Sequence, residues 1–261
     1  MFFNAGAFYF IYLAIFGGFT VVLTAFLTVK FKDKPYAQKL KPIRWLFAIL
    51  VVLEVVKIFW LITINEALHP LRYPIVFCSI ILYAWPLFAF KSNRFSDAAK
   101  SLAVFPAILA GIIFLMMPGD ISPAQLYASN SAISGFLIYA LAAHSFLFHC
   151  VMIGIAIYIL VMKIYTVGKN NYFGAFLALS FYLAVATVIS LFIRNNISIF
   201  GPQSGFLGFL YNAVGYIPGQ LILVAICFAG YLALHKILGK KVLKQTNLSC
   251  LNQLQADNTE A

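Results

Sequence analysis

The sequence predicts an all-α membrane protein in which seven transmembrane helices cross the cell membrane. Hydrophobic residues make up 63% of the 261 residues, and charged residues make up only 10%. A soluble domain carries roughly 25% charged residues, so this chain cannot cover itself with a water-compatible surface. Basic residues fall in every second loop between the apolar segments, a pattern that an odd number of spans produces and that agrees with the seven segments found by hydropathy. The chain is therefore predicted to be a multi-pass protein of the cell membrane.

Each predicted span is a predominantly apolar stretch, because a membrane helix needs about 20 such residues. The predicted spans cover residues 5–29, 45–65, 73–90, 102–117, 135–162, 173–193 and 216–238. Pro86 and Pro106 fall inside the third and fourth spans, where bilayer helices tolerate proline. The domain prediction is one transmembrane domain, 1–244, followed by a polar tail, 245–261, that is predicted to be disordered.

The basic residues predict the orientation of these spans. Of the 18 lysines and arginines, 15 lie in the first, third and fifth loops or at the C-terminal end of the chain, from Lys236 onward. The opposite side keeps only Arg72 and Arg194. The positive-inside rule then places the N-terminus outside and the C-terminus in the cytoplasm. Because the basic residues occupy short loops between apolar segments, the net charge of +11 does not indicate a nucleic-acid partner.

The outer segment 194–219 is rich in glycine, proline, asparagine and aromatic residues. Such a segment can enter the membrane only where other helices cover its backbone. We expect an interfacial loop with an aromatic belt.

Four ionisable residues fall well inside predicted spans. Glu54 and Lys57 lie in the second span, and His144 and His149 lie in the fifth. An Asp, Lys or Arg at the centre of a membrane helix costs roughly 2.5–3.5 kcal/mol on insertion scales, so ionisable residues there are rare. A functional site is the first hypothesis for such residues.

Three of the spans bring polar side chains to one depth. Cys78, Lys57 and His149 each lie 13 or 14 residues from a basic residue at the predicted inner surface. At 1.5 Å per helical residue, all three stand roughly 20 Å above that surface. A shared depth is a requirement for an enclosed intramembrane site, although it does not establish that the side chains face one another.

Each of these residues also has a purely structural interpretation. Glu54 and Lys57 are spaced i,i+3, so they form either a self-neutralising pair or part of a site. His149 is either a neutral imidazole bonded to a neighbouring helix or a functional group. Spacing alone favours Cys78 as a small apolar filler. His144 lies five residues before His149 and points about 140° away from it around the helix.

The sequence predicts neither a metal nor a cofactor. A metal site built from Cys78, His144, His149 and Cys150 is disfavoured. The adjacent His149 and Cys150 point about 100° apart on a helix, so they fit one tetrahedron poorly.

Several short patterns, taken in order over residues 52–238, resemble the YwaF-like bacterial integral membrane proteins. That family is similar to an animal multi-spanning lipid acyltransferase. A Pro-Leu-His-x-Cys pattern of the family corresponds to "YPIVFC", which ends at Cys78, and an aromatic run ending in His corresponds to "FLFHC" with His149, followed by Tyr158. Weaker counterparts are "MPGD" at 117–120, the Asn195–Asn196 pair and "GYIP" at 215–218.

The resemblance implies chemistry for this set of residues. Cys78 would be the nucleophile that accepts an acyl chain, and His149 would be its base. Asn195 or Asn196 would polarise the ester carbonyl. A thiol with an ordinary pKa of about 8.5 needs such a base to become nucleophilic. The family histidine two residues before the cysteine is Val76 here, which leaves activity in question.

The leading expectation is therefore acyl transfer or ester hydrolysis on a membrane phospholipid or lysolipid. Glu54, Lys57, His144 and Tyr158 are expected to support the site. The rival expectation is a non-enzymatic transporter, channel or sensor, in which the charged pair and the histidines form an intramembrane polar pathway.

Overall fold

The computed structural model describes residues 10–63, 77–90, 96–116, 136–165, 205–215 and most of 176–188 and 218–237. These residues form helices and turns, with no strand among them. The helices are α1 (Phe10–Phe31), α2 (Lys41–Thr63), α3 (Ile80–Ala89), α4 (Ser96–Met116), α5 (Phe136–Val161), α6 (Gly205–Val214) and α7 (Leu221–Leu234). A single helical turn, Tyr36–Lys39, precedes α2, and a 3-10 turn, Phe77–Ser79, precedes α3.

Helices α1 to α5 overlap the first five predicted spans, and α7 overlaps the seventh. Helical residues between 176 and 188 fall in the sixth. Within the described part of the chain, two stretches are long and apolar enough to cross a membrane, namely α1 and residues Ala142–Val161 of α5. The all-helical prediction is thus confirmed for the described residues.

Two elements differ from their predicted form. Helix α4 begins six residues before the predicted span, since polar residues such as Ser96 continue a helix beyond its apolar part. Helix α6 lies in the segment 194–219, which was expected to be a loop. Its sequence, GFLGFLYNAV, supplies apolar residues at helical spacing, and Gly215 ends it with a φ of +87°, which glycine adopts without strain.

Helix α5 lies at the centre of the packing. It contacts α1, α2 and α4, while α3 packs against both α2 and α4. The largest fully buried side chains of the core are Trp85, Tyr231 and Phe105. The Phe105 ring meets Tyr231 of α7 edge-on, with ring centroids 5.4 Å apart, and the Tyr231 hydroxyl bonds Ser101 at 2.9 Å.

Polar bonds tie the helix ends together on the side that carries the basic loops. Arg44 donates from Nε to the carbonyl of Ala89 at 2.6 Å, which joins the start of α2 to the end of α3. The Tyr158 hydroxyl donates to the carbonyl of Lys39 at 3.0 Å, which joins the last turns of α5 to the segment before α2. Because the start of α2 meets the end of α3, these two helices run in opposite directions.

Helix α5 ends in a Schellman motif. The Ile164 amide donates to the Ile159 carbonyl at 3.0 Å, and the Lys163 amide donates to the Leu160 carbonyl at 3.2 Å. Lys163 takes the left-handed position of this motif, with a φ of 52°. Glycine usually occupies this position because a side chain is strained there. Ile159 and Ile164 are both buried, and they supply the hydrophobic contact that accompanies the motif.

Candidate functional site

A buried ion pair lies at the base of the site. Lys57 donates from Nζ to Oε1 of Glu54 at 2.5 Å, and the two residues are only 7% and 5% exposed. Their i,i+3 spacing puts both side chains on one face of α2. Taking two charges out of water costs several kcal/mol per ion after relaxation, so each charge depends on its partner and on further polar neighbours.

Lys57 stands among the other predicted polar residues. Its ammonium group interacts electrostatically with the Cys78 thiol and with the imidazoles of His144 and His149. Glu54 interacts with Cys78 as well. The residues come from α2, from the 3-10 turn before α3 and from α5. These five side chains share an electrostatic interaction with Lys57 or its partner Glu54, and we call them the polar cluster.

The 3-10 turn positions Cys78. Its three residues, Phe77–Ser79, lead directly into α3, and the side chain of Ser79 hydrogen-bonds that of Cys78. Ser79 is 2% exposed, so its hydroxyl has little access to water. The Cys78 side chain packs against the hydrophobic core, and the Lys57 ammonium group interacts with it electrostatically, so the thiol has both apolar and polar neighbours.

The hydrogen bond of His149 fixes its tautomer. Nδ1 lies 2.8 Å from the carbonyl oxygen of Ser145, one helical turn earlier. A carbonyl oxygen only accepts, so Nδ1 carries the proton and donates it. In a neutral ring, the lone pair is then on Nε2, and this nitrogen can accept a proton. A general base needs such an unprotonated ring nitrogen, so this tautomer of His149 can act as a base through Nε2.

His144 differs from His149 in its surroundings. It is 8% exposed, and its ring stacks on Phe148 with centroids 6.1 Å apart. Phe148 in turn contacts the His149 ring edge-on at 5.8 Å, so the phenylalanine touches both histidines. The Nε2 atom of His144 is buried and has no hydrogen-bond partner among the described residues. Such an atom is costly to bury.

Two tyrosines that the sequence did not indicate also interact with residues of the polar cluster. Tyr83 of α3 interacts electrostatically with Glu54, and Tyr182 interacts with Cys78. Their rings lie 5.9 Å apart. The chain has 14 tyrosines, most of them in apolar segments, so nothing in the sequence separates these two from the others. The only sequence feature that could have pointed to Tyr83 is its position five residues after Cys78.

The remaining predicted site residues lie elsewhere. Tyr158 is nine residues beyond His149, about 13–14 Å along α5, and its observed hydrogen bond ties α5 to Lys39. Asn195 and Asn196 lie outside the described residues, as does Val76. The described part of the chain contains no group of three or more His, Cys, Asp or Glu side chains that could hold a metal ion.

Comparison with known proteins gives one match. The model of the TMEM164 family matches residues 4–236 of the chain. No curated protein and no solved structure matches it.

Proposed function

The chain belongs to the TMEM164 family, a family of transmembrane proteins, and we propose that it transfers or hydrolyses acyl groups of membrane lipids at the polar cluster. The observation that carries this proposal is the position of Lys57. Its ammonium group interacts electrostatically with both the Cys78 thiol and the His149 ring, so one buried cation acts on a nucleophile and on a base. A thiol, a histidine and a fixed positive charge are the groups that acyl transfer through a thioester needs.

In the proposed reaction, Nε2 of His149 takes the proton of the Cys78 thiol, and the sulfur attacks the carbonyl carbon of a phospholipid ester. A carbon–sulfur bond forms while the ester carbon–oxygen bond breaks. The departing lysolipid oxygen takes the proton from His149. The hydroxyl of a second lysolipid, or water, then attacks the thioester, gives its proton to His149 and releases the sulfur, which is reprotonated.

Lys57 has a separate role in this reaction. Negative charge develops first on the sulfur and then on the carbonyl oxygen of the tetrahedral intermediate. An ammonium group that is already in place stabilises such charge without reorganisation, and a site shielded from water strengthens the effect. Glu54 accepts a hydrogen bond from this ammonium group and so keeps it in position.

We also propose that the chain crosses the cell membrane seven times, with its N-terminus outside. The support is the uneven distribution of basic residues, of which 15 of 18 fall on one predicted side. A cysteine placed at Ser129, in the second predicted outer loop, is expected to react with a membrane-impermeant maleimide in intact cells. The protein carrying Ser129→Cys should be compared with the unsubstituted chain, and labelling only after permeabilisation would reverse the orientation.

The proposed chemistry can be tested with a lipid probe that forms a thioester on a reactive cysteine. We expect labelling of the unsubstituted protein and none of Cys78→Ser, which cannot form the thioester. His149→Ala should also abolish labelling, because no base then takes the thiol proton. His144→Ala is the matched control from the same helix, and it should retain most of the labelling. Lipid composition of the membranes, measured for the unsubstituted protein and Cys78→Ser, should differ in lysolipid content.

A non-enzymatic polar pathway is the second candidate function. The buried Glu54–Lys57 pair favours it, because ionisable groups inside membranes also mark ion and proton routes. Equal probe labelling of the unsubstituted protein and His149→Ala would contradict the acyl-transfer proposal. Proton or ion flux through reconstituted vesicles, lost on Glu54→Gln and unchanged in Cys78→Ser, would then support the pathway.

A further inference from the structure

An apolar groove runs along the outer face of α1 and α5. Its volume is about 560 Å³, within the range of sites that hold small-molecule ligands. On α1 it extends from Leu13 to Val29, about 24 Å along the helix, and on α5 it extends from Cys150 to Val161. Among the described residues, none that lines the groove belongs to the polar cluster. The groove is therefore separate from the proposed reaction site.

The walls of the groove suit a hydrocarbon chain. Gly17 and Gly154 line the groove without a side chain, and aliphatic side chains such as Val21 and Ile157 form other parts of its walls. The Thr28 hydroxyl donates to the Thr24 carbonyl of its own helix at 2.8 Å, so this polar group is already satisfied. The Thr20 hydroxyl also lines the groove and is buried without a hydrogen-bond partner in the described part of the chain, so the walls offer a hydrocarbon chain an apolar surface apart from this one group.

One end of the groove is basic. Val29 and Val161 line that end, and Lys30 and Lys163 follow them closely in sequence. Both lysines are exposed. The charged residues nearest this end in sequence are Lys30, Lys32, Asp33, Lys34 and Lys163. The Lys30 ammonium group lies 5.4 Å from the centre of the Phe26 ring, and Asp33 pairs loosely with Lys32 at 4.0 Å. The surplus of positive charge stands where the headgroup of a lipid in the groove would lie.

Lys163 gives an independent indication. It holds the left-handed position of the Schellman motif, with a φ of 52°, where glycine would be unstrained. Strained backbone at a non-glycine residue is a reason to look for a role of its side chain. Here the side chain belongs to the turn that immediately follows the groove wall at Val161.

We propose that this groove binds an anionic phospholipid, with an acyl chain between α1 and α5 and the headgroup phosphate at Lys30 and Lys163. A second copy of the chain is the competing occupant. Two copies packed in parallel through this face would bring their lysines together, and like charges at an interface are unfavourable. An anionic headgroup neutralises the same lysines, so charge complementarity favours the lipid.

The test uses the full-length protein in nanodiscs that contain a phospholipid with a photoreactive diazirine in its acyl chain. Phosphatidylglycerol and phosphatidylcholine carrying the same chain are compared. We expect crosslinks on α1 and α5 at groove residues and stronger crosslinking by phosphatidylglycerol. Val21→Phe should block the groove, whereas Val22→Phe should not. These neighbours are 70% and 68% exposed, and only Val21 lines the groove.

Lys163→Gly separates lipid binding from a structural effect. Glycine removes the backbone strain, so the variant should fold at least as well as the unsubstituted protein. Its preference for phosphatidylglycerol should nevertheless fall by about fivefold, the effect of one basic residue near an anionic surface. The control for loss of one positive charge is Lys236→Gln, at an exposed lysine of the segment after α7. Glutamine is chosen there because glycine would also lower the helix propensity of that segment. This variant should keep the preference for phosphatidylglycerol.

Three results would overturn the proposal: equal crosslinking of the two lipids, equal crosslinking by Val21→Phe and Val22→Phe, or a dimer that Val21→Phe dissociates. The last result would assign the groove to a second copy. Cys78→Ser should leave all crosslinking unchanged, so failure of the acyl-transfer proposal and failure of this one can be told apart.

Discussion

Helices α1 and α5 have apolar stretches of similar mean hydropathy, 2.2 and 2.0, but α1 lies at the surface of the protein and α5 lies at its centre. Only 6% of the apolar stretch of α1 is buried inside the protein, whereas 56% of the corresponding stretch of α5 is buried. Thr20 is the one buried residue described in α1. Lipid tails are as apolar as leucine side chains, so hydropathy alone does not separate a helix that faces lipid from one that faces protein.

The polar residues separate the two helices instead. Those of the described part of α1 are Tyr12, whose ring meets Phe146 edge-on, three threonines, of which Thr28 bonds its own backbone, and the terminal Lys30. Helix α5 carries two histidines and a tyrosine that bonds a distant segment. A group that needs a partner from another element can be placed in the membrane only where such an element packs. Partner-requiring side chains are therefore a better indicator of a central helix than apolarity is.

The largest expected effect comes from the charges that α5 covers. Glu54→Gln leaves the Lys57 ammonium buried without its partner, and we expect a loss of about 3–5 kcal/mol in the free energy of unfolding. Asp33→Asn removes the exposed partner of Lys32, just beyond α1, and should cost about 0–1 kcal/mol. SDS titration of the purified protein in mixed micelles measures both.

The double variant Glu54→Gln, Lys57→Met checks the cause. It removes both charges, so it should be more stable than Glu54→Gln alone. A double variant that is no more stable than the single one would mean that the two residues act separately. Burial of the Glu54–Lys57 pair would then no longer explain why Glu54→Gln costs more than Asp33→Asn.

A smaller effect is expected at the contact between the two helices. A Cβ atom at Gly154 of α5 would overlap Cγ2 of Thr20, a short β-branched side chain that cannot retreat. Gly154→Ala should therefore cost about 1–3 kcal/mol of unfolding free energy. At Gly18 of α1, a Cβ atom would meet no atom within 4 Å, and Gly18→Ala should gain up to about 1 kcal/mol from helix propensity.

The same unfolding titration measures both alanine variants. Opposite signs would support the view that α1 touches the protein along one narrow contact and otherwise faces lipid. If Gly18→Ala is as destabilising as Gly154→Ala, the exposed face of α1 packs against something, and the assignment of the groove to lipid would need the crosslinking test to decide it.

Much of the fold follows from the sequence, because apolar length is a strong local signal. The spans predicted at 45–65 and 135–162 correspond closely to Lys41–Thr63 and Phe136–Val161. Helix α6 was missed because its ten residues are too few for a span and lie among glycine, proline and asparagine. Short helices depend on tertiary contacts, which the sequence does not display.

The site was only partly predictable. Depth counting selected Cys78, Lys57 and His149 as candidates, because helical rise converts residue number into height. It gave no information on rotation between helices, so the central position of Lys57 and the participation of Tyr83 and Tyr182 emerged only in three dimensions. The tautomer of His149 likewise depends on its bond to Ser145.

The smallest expected effect compares one hydroxyl from each helix. Tyr158→Phe removes the 3.0 Å bond between α5 and Lys39, which joins segments 119 residues apart, and leaves a carbonyl without its donor. A cost of about 0.5–1.5 kcal/mol in unfolding free energy is expected. Thr28→Val removes a bond that α1 makes to its own backbone, where the Thr24 carbonyl keeps its helical amide partner, so its cost should be close to zero. The SDS titration used above distinguishes these values if both variants are measured side by side. A cost at Thr28 as large as that at Tyr158 would mean that the polar groups of α1 also bond other elements, and the distinction drawn between the two helices would fail.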